Sequence, residues 1–498
     1  MNHAPIQQPS RTMLKLLLVF AVVVLLGGLA TLGYAYYRLQ QAFTPDDPLF
    51  AVTDTTTDTA QDDIQEATSI FETIQTFLGF GKPKTYLLLF LNNNEYRPGG
   101  GFIGSYAVVK VNKGNIEILK LEGSEILDWS AIHAPLPDPP LPIGKHLGVG
   151  KWYFRDSNWS PDFAESARQS LTLYRAEGGT AAQDIDAVIA ISTTVLEELL
   201  KLTGPITVDG LRFTGDNVQR TLEYEVEYGF VDRGRSREER KNILKDFGNA
   251  LLGIVPEDAV FQPATYLKAI RTLIAEKHIM AWSPDATLQS QIHSQGADGR
   301  LIRTKGDSIT WVDANLGALK TDHAMQRNLT YKIAPNGNGY VGELSMAYTH
   351  TGTFDWRTTR YLSYARAYIP AGANVTAASV TTAQGITPID INTLVITQDL
   401  GRTSVATFVS IEPGNTKTIT FRYELPKNIV EQIKSGTYTL AAQKQLGGFG
   451  TGLTLGLDFG TNIVSAQPAE AKHEWGDHVY RYDAQFRQDT AFLVELAI

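Results

Sequence analysis

The first residues that could do chemistry form a glycine-rich stretch at positions 92–105, NNNEYRPGGGFIGS. Arg97 stands two positions before Gly99, Gly100 and Gly101. Consecutive glycines allow backbone conformations whose amides can surround an anion, and the guanidinium would add a positive charge. The stretch lacks the Gly-Lys-Ser/Thr ending of a nucleotide-binding P-loop. A tight turn that needs glycine only for its geometry explains the same residues, so both interpretations stay open.

A second candidate stretch is RDSNWSPDF at residues 155–163, directly before a predicted helix. Ser160 or Asp162 is a natural N-cap, and the N-terminus of a helix favours anions. Capping explains the Ser-Pro-Asp part of the stretch. It explains Arg155, Asp156 and Trp159 less well, so these three are candidates for a ligand-binding site.

The third candidate is the densest basic cluster of the chain. Its members are Arg233, Arg235, Arg237, Arg240 and Lys241. The last three stand at i, i+3 and i+4 and would share one helical face. Guanidinium groups suit phosphate or pyrophosphate. The alternative is a solvated face that Glu238 and Glu239 balance.

Composition excludes several classes of function. The chain of 498 residues carries 44 Lys and Arg against 53 Asp and Glu, a net charge of −9, which argues against general nucleic-acid binding. The absence of cysteine excludes disulfides, thiolate zinc sites, iron–sulfur clusters and cysteine nucleophiles. The nine histidines include no His-x-x-x-His pair. No cofactor, metal ligand or catalytic residue is evident, and a divalent cation such as Mg²⁺ stays open.

An apolar segment near the N-terminus predicts a membrane anchor. Residues 16–37 contain no charge, and 22 helical residues extend about 33 Å, enough to cross a bilayer. Arg11 and Lys15 precede the segment without any acid, so residues 1–15 should stay cytoplasmic and the bulk should be extracytoplasmic. A cleaved signal peptide is the alternative, but its apolar region is usually shorter. We expect a single-pass protein of the cell membrane.

Hydrophobic patterning predicts the fold class after the anchor. Residues 38–80 indicate a stalk with a short amphipathic helix, and residues 81–320 an α/β domain. Apolar runs at 86–91 and 185–191 are typical of buried strands. Residues 325–498 predict an antiparallel β-sandwich of about eight strands, because apolar and polar residues alternate between turn signals.

Four motifs resemble the bacterial DUF4012 family, whose function is not established. They are NNNEYRPGGGFIGSY at 92–106, RDSNWSPDF at 155–163, IDAVIAISTTVLEELLKLTGPITVDG at 185–210 and VDANLGALKTDHAM at 312–325. The resemblance covers roughly residues 80–430.

A more distant resemblance is to the LytR–CpsA–Psr phosphotransferases, single-pass proteins that move glycopolymers from polyprenyl-pyrophosphate lipids onto the cell wall. It rests on the order of anchor, buried strand, residues 185–210 and an Arg-x-x-Arg segment. It implies an LCP-like mixed sheet with flanking helices, and it implies that Arg237 and Arg240 hold the lipid pyrophosphate. Lys241 replaces the usual Gln, and Asn92 and Asn93 fall where that family has a magnesium-binding Asp.

These observations predict a membrane-anchored, extracytoplasmic envelope protein that binds or transfers a phosphate-bearing glycopolymer or a polyprenyl-pyrophosphate lipid. Its partners would be the membrane and the glycopolymer or cell wall, without nucleic acid. If it is an enzyme, it would be an LCP-like phosphotransferase in which the three candidate stretches converge on one ligand. The alternative is a non-catalytic cell-surface binding or structural protein that uses its β-sandwich for interaction.

Overall fold

The structure, a computed structural model, divides the chain into two compact units. It describes residues 73, 75–236, 243, 246–248, 250–251, 253–254, 262–317 and 319–497. The first unit, which we call the α/β unit, contains the described residues up to Leu91, Ile103–Ala134 and Ser170–Asp298. The second, which we call the β-rich unit, contains Asn92–Phe102, Pro135–Gln169 and Gly299–Ile498.

The predicted cytoplasmic tail, the membrane segment 16–37 and most of the stalk lie outside the described residues. Within the described ranges, no helix combines the length and the apolar character needed to cross a bilayer.

The α/β unit is built on a five-stranded sheet. Its strands are β1 (Lys84–Asn92), β2 (Phe102–Asn112), β3 (Asn115–Gly123), β4 (Ala187–Ser192) and β7 (Ile279–Trp282), and a separate pair consists of β5 (Ile206–Val208) and β6 (Leu211–Phe213). The order in the sheet is β3-β2-β1-β4-β7. The strands β1 and β4 are parallel, while β2 pairs antiparallel with β3 and β4 with β7.

Local sequence explains this sheet. The predicted strands at 86–91 and 185–191 are confirmed in β1 and β4, whose apolar side chains are almost all buried. Between β2 and β3, Lys113 and Gly114 have φ angles of 48° and 79°. Two residues at positive φ form the turn that suits the right-handed twist of a hairpin.

Helices flank the sheet of the α/β unit and also occur in the β-rich unit. In chain order they are α1 (Ser124–Ser130), α2 (Leu141–Leu147), α3 (Phe163–Ala176), α4 (Thr194–Thr203), α5 (Val218–Tyr224), α6 (Pro263–Ala275), α7 (Ala286–Ser294) and α8 (Lys427–Lys434). After α5 the chain continues through a π-helical turn at Glu225–Gly229 into Phe230–Asp232. Side chains of α4 and α6 share one apolar cluster with β4, and those of α7 share another with β1 and β2.

The β-rich unit consists mainly of two seven-stranded sheets. The strands are β8 (Asp307–Asn315), β9 (Met325–Asn336), β10 (Gly339–His350), β11 (Tyr361–Ile369), β12 (Asn374–Thr382), β13 (Gly385–Ile389), β14 (Val395–Asp399), β15 (Arg402–Ile411), β16 (Thr416–Glu424), β17 (Thr437–Gln443), β18 (Thr451–Asp458), β19 (Ile463–Gln467), β20 (Val479–Gln485) and β21 (Thr490–Leu496). One sheet has the order β13-β12-β16-β10-β9-β18-β20 and the other β14-β15-β11-β8-β17-β21-β19.

This sheet-rich region differs in three ways from the predicted antiparallel sandwich of about eight strands. Its two large sheets contain fourteen strands among the described residues. Most pairs are antiparallel, but β17 pairs parallel with β8, and β18 pairs parallel with β9. The region also begins before residue 325, because β8 lies at Asp307–Asn315. Every residue of β8 is buried, so its sequence lacks the apolar–polar alternation that marks a half-exposed strand.

Both sheets contribute to one apolar core, and that core contains a buried acid. Asp307 has no exposed surface, and it accepts hydrogen bonds from the Tyr331 hydroxyl at 2.6 Å and the Tyr438 hydroxyl at 2.7 Å. Burial raises the pKa of Asp307, against the opposing effect of these hydrogen bonds. The folded chain therefore binds the proton of this carboxyl more tightly than the unfolded chain does.

The raised pKa of Asp307 predicts a pH-dependent stability that Asp307→Asn removes. The contribution of Asp307 to the free energy of unfolding should fall as the pH rises from about 4, the unfolded pKa, through the raised folded pKa. The variant has no titrating group here, so between these two pKa values its stability relative to wild type should rise by about 1.4 kcal/mol per pH unit. Urea denaturation at pH values from 4 to 8 measures this difference. Asp483→Asn, at an exposed position of β20, is the matched control for the Asp-to-Asn change. Parallel profiles for Asp307→Asn and wild type would contradict the assignment.

Candidate functional site

The structure distributes the candidate residues between the two units. Arg97, Gly99, Gly100, Gly101, Arg155 and Asp156 belong to the β-rich unit, whereas Arg233 and Arg235 belong to the α/β unit. Arg237, Arg240 and Lys241 lie outside the described residues. Two of the three candidate stretches are therefore parts of the same unit, and they make direct contact with each other.

Arg97 lies inside the β-rich unit as the centre of an ion-pair network. Its side chain is 2% exposed, and its Nε lies 2.9 Å from Asp156 Oδ1. Its Nη2 lies 3.1 Å from Glu95 Oε1, and Nη1 donates to the carbonyls of Asn315 at 2.6 Å and Tyr96 at 3.2 Å. Four of the five N–H donors of the guanidinium thus donate hydrogen bonds, and two carboxylates of the same chain face its charge.

The electrostatics of this network favour a charged arginine. Burial alone would lower the pKa of Arg97, but the carboxylates of Asp156 and Glu95 outweigh it and raise that pKa. Burial raises the pKa of Glu95, with Arg97 acting in the opposite direction. The carboxylates of Asp156 and Glu95 balance the positive charge of the guanidinium. A bound anion is not needed to keep Arg97 protonated.

The glycine turn is occupied by contacts of the chain itself. Gly99 N donates to the Asn158 carbonyl at 2.9 Å, and Gly100 N donates to the Arg97 carbonyl at 3.0 Å. A Cβ on Gly99 would lie 2.7 Å from Asn158 Cβ and 2.8 Å from Ser166 Oγ. Glycine is therefore needed at position 99 because residues 158 and 166 approach it closely. The amides of Gly99 and Gly100 already donate hydrogen bonds within the chain.

Asn158 connects the two candidate stretches, and sequence reasoning did not select it. The side-chain Nδ2 of Asn158 donates to the Gly101 carbonyl at 2.7 Å, and the backbone carbonyl of Asn158 accepts from Gly99 N. The residue is 1% exposed. A single asparagine thus bonds both sides of the glycine turn. Its neighbours in the sequence are polar residues typical of a loop. No local signal therefore distinguishes Asn158 from an ordinary loop asparagine.

The helix start near residue 162 is confirmed as a capped N-terminus. Asp162 Oδ1 accepts from Glu165 N at 3.2 Å, as an N-cap side chain does. Its Oδ2 accepts from Leu301 N at 3.1 Å. The negative charge that this helix end favours is therefore supplied by the chain itself. Nearby, the guanidinium of Arg155 lies 5.6 Å from the centre of the Tyr153 ring.

A second buried network surrounds Arg327. Its Nε lies 3.1 Å from Asp313 Oδ2, and its Nη2 contacts Asp322 and donates to the Tyr361 hydroxyl at 2.9 Å. Asp313 Oδ1 accepts from the Tyr348 hydroxyl at 2.7 Å. Burial raises the pKa of Asp322, and the charge of Arg327 opposes that shift. Like Arg97, this arginine is compensated by acids of its own unit.

The two networks meet at Asn315 and Tyr96. The carbonyl of Asn315 accepts from Arg97, and its Nδ2 donates to Asp322 Oδ2 at 2.9 Å. Tyr96 N also donates to Asp322 Oδ2 at 2.9 Å. The motif at 312–325, one of the four that resemble the DUF4012 family, therefore supplies partners of the glycine-rich stretch.

A small cavity borders the Arg327 network. Its volume is about 20 Å³, and its lining includes Tyr96, Asp313, Arg327, Lys444 and Gln445. That volume is enough for about one water molecule. The cavity is too small to hold a phosphate group or a sugar.

In the α/β unit, the basic residues also have acidic partners. Arg233 Nε lies 2.8 Å from Glu225 Oε2, and Arg235 Nη2 lies 2.6 Å from Asp209 Oδ2. Arg233 also donates to the Asp209 carbonyl at 2.9 Å. The two side chains remain 29% and 26% exposed. Both side chains contact Asp209, in the turn between β5 and β6.

A buried serine–histidine pair is the contact that most resembles a nucleophile with its base. Ser192 Oγ lies 2.9 Å from His278 Nδ1, at the end of β4. Both residues are 2% exposed, so a substrate has no direct access to the hydroxyl. Across the described ranges, no group of three or more His, Asp or Glu side chains is arranged to hold a metal ion.

The Arg97 network predicts a large loss of stability for Arg97→Ala. The change leaves the buried Asp156 and the partly buried Glu95 without their cation. Removal of one partner of a buried ion pair costs about 3 to 5 kcal/mol. Arg168→Ala is the matched control, because Arg168 is 51% exposed and pairs with Glu165 at the surface. The control should cost no more than about 0.5 kcal/mol. Urea denaturation of both variants measures the contrast, and equal stabilities would show that Arg97 has no structural role.

Comparisons with known proteins give one informative match. No curated protein matches the sequence. Matching solved structures include native leukotriene A4 hydrolase from Saccharomyces cerevisiae, at 10% identity and a TM-score of 0.20, over 35% of this chain and 29% of that chain. A second structure of the native yeast hydrolase gives 10% identity and a TM-score of 0.19, over 34% and 29%. The chain thus spans less than a third of these enzymes, and such low scores carry no argument about fold.

Residues 81–226 match the family described as "Protein of unknown function (DUF4012)", which supports the resemblance of this segment to that family.

Proposed function

We propose that the protein is a non-catalytic binding or structural protein of the cell envelope, anchored by residues 16–37, with the β-rich unit as its interaction module. The observation that supports this proposal is the burial of Arg97 between Asp156 and Glu95. The residues that most resembled an anion-binding site are instead partners of one another.

Transfer of a phosphoryl or glycosyl-phosphate group needs positive charge and hydrogen-bond donors that are free to meet the charge of the transition state. Four of the five N–H donors of Arg97 donate to acceptors of the same chain, and the amides of Gly99 and Gly100 donate to two carbonyls. A ligand could use these groups only by breaking buried ion pairs, which is costly. This cost favours the non-catalytic alternative over transfer chemistry at the glycine turn.

A second candidate function is binding of a phosphate-bearing lipid at residues 233–241. The partial exposure of Arg233 and Arg235 supports it, because their side chains are 29% and 26% exposed. Arg237, Arg240 and Lys241 follow directly in the sequence. The distant resemblance to the LytR–CpsA–Psr phosphotransferases, the LCP-like fold and the Mg²⁺ ion stay predictions within this candidate.

A lipid assay separates these functions. The full chain in detergent micelles is incubated with a polyprenyl-pyrophosphate-linked sugar and Mg²⁺, and both retention of the lipid and release of its pyrophosphate are measured. Our main proposal predicts no turnover, and equal retention by wild type and Arg237→Ala/Arg240→Ala. Arg168→Ala/Lys201→Ala removes the same charge from exposed sites and serves as the control.

The outcomes of this assay differ in what they support. Retention without turnover that is lost only in Arg237→Ala/Arg240→Ala would favour the second candidate. Turnover that depends on Mg²⁺ and is lost in the same variant would contradict the non-catalytic proposal.

The proposed location has its own test. A tag fused after Ile498 should be degraded by protease added to intact spheroplasts, because the folded units would lie outside the membrane. A cytoplasmic protein in the same cells should survive the treatment. Protection of the tag would overturn the proposed location.

A further inference from the structure

Arg366, on β11, is a buried arginine without an acidic partner. It is 7% exposed, and within the described ranges it forms no ion pair. Nη1 donates to the Tyr368 hydroxyl at 3.1 Å, and Nη2 donates to the Trp159 carbonyl at 2.9 Å. Nε is buried and has no acceptor. Arg97 and Arg327 are buried as well, but each of them contacts two carboxylates.

The neighbours of Arg366 offset its charge only in part. The guanidinium carbon lies 4.8 Å from the centre of the Trp159 ring and 5.8 Å from the centre of the Tyr368 ring. The Tyr368 hydroxyl donates to Asp399 Oδ2 at 2.8 Å, so this carboxylate reaches the cation only through the hydroxyl. Cation–π contacts are worth less than the cost of removing an unpaired charge from water. Two of the five N–H donors have an acceptor, so the guanidinium can still bind an anion.

Arg366 lies on the outer face of its sheet. Along β11, Ala365 and Ala367 belong to the apolar core of the β-rich unit. Successive side chains of a strand point to opposite faces, so Tyr364, Arg366 and Tyr368 point away from that core. The unpaired cation therefore lies towards the surface of the unit, where a ligand can approach it.

Partly exposed aromatic rings lie beside this cation. Tyr364 pairs with Phe408 of β15, which is 37% exposed. Trp159, from the candidate stretch 155–163, stacks on Tyr364 with ring centres 6.0 Å apart and planes 20° apart. Trp159 and Tyr364 are both partly exposed, so each keeps surface that a ligand can contact. Helix capping does not explain Trp159, whereas a ligand site at Arg366 does.

We propose that Arg366 binds the anionic group of an acidic sugar, a carboxylate or a phosphate ester, while the sugar ring lies against Trp159 and Tyr364. The planar guanidinium matches the geometry of both anions. One face of a sugar ring presents C–H groups, which can pack on an aromatic ring. An acidic sugar combines this face and the anion on one compact ring, whereas an acidic peptide carries its carboxylates on flexible chains. This inference rests on the proposed role of the β-rich unit as the interaction module, and it names the class of ligand.

An arginine that serves a ligand rather than the fold predicts a distinct effect of Arg366→Met on stability. Methionine is apolar and of similar length, and its introduction leaves no carboxylate without a cation. Because burying a charge without an anion is costly, the change should not reduce stability. We expect the urea midpoint of the full chain to stay at or above the wild-type value, whereas Arg97→Met should lower it. A midpoint lowered as far as that of Arg97→Met would overturn the proposal, since Arg366 would then serve the fold.

Binding is measured by calorimetric titration of the full chain in micelles of a detergent without a sugar headgroup. The probes are trigalacturonate, which carries carboxylates, and glucose 6-phosphate, which carries a phosphate ester, so the two titrations distinguish the two anions. Maltotriose is the neutral sugar control, and triglutamate is the peptide control. The control variant is Arg360→Met, which removes an arginine that is 49% exposed and directly precedes β11.

We expect at least one acidic sugar to bind, with an affinity about tenfold weaker in Arg366→Met and unchanged in Arg360→Met, because only the first variant loses a charge-assisted contact. Maltotriose should bind about tenfold more weakly than that acidic sugar for the same reason. Absence of binding by both acidic sugars, equal affinities in wild type and Arg366→Met, or equally tight binding of triglutamate would each overturn the proposal. The lipid and tag assays do not depend on Arg366, so the failure of this inference and the failure of the proposed function are distinguishable.

Discussion

The guanidinium of Arg97 cannot be buried without partners, and this requirement organises the surrounding residues. Two carboxylates lie within 3.1 Å of it, and two carbonyls accept its remaining contacts. An uncompensated charge in such a place would cost several kcal/mol. The stretches 92–102 and 155–163 must therefore approach closely, and glycine at position 99 permits that approach. Residue types that suggest ligand binding are thus explained by the physics of burying one charge.

The pattern of apolar residues was sufficient to predict those strands whose apolar side chains are buried. The run at 86–91 is apolar at every position, and it forms the buried part of β1. The apolar run at 185–191 likewise forms the buried strand β4. The strand β8 shows the limit of this approach, because full burial removes the alternation by which a strand is recognised, and its acids Asp307 and Asp313 have the appearance of surface residues.

The candidate site was harder to predict, because its partners are distant in sequence. Arg97 and Asp156 are 59 positions apart, and Tyr96 and Asp322 are 226 apart. A single sequence contains no signal that pairs them. Arg97 beside three glycines fits an anion site and a buried ion pair equally well, and only the positions of Asp156, Glu95 and Asn315 distinguish the two.

Hydrogen exchange of residues 92–102 tests most directly whether these residues are an internal structural element. The full chain is measured with and without inorganic pyrophosphate. Our account predicts slow exchange at the amides of Gly99 and Gly100 without the ligand, because both donate hydrogen bonds within the chain, and no change when pyrophosphate is added. Rapid exchange that slows when pyrophosphate is added would contradict it, since the turn would then be an open site that the anion orders.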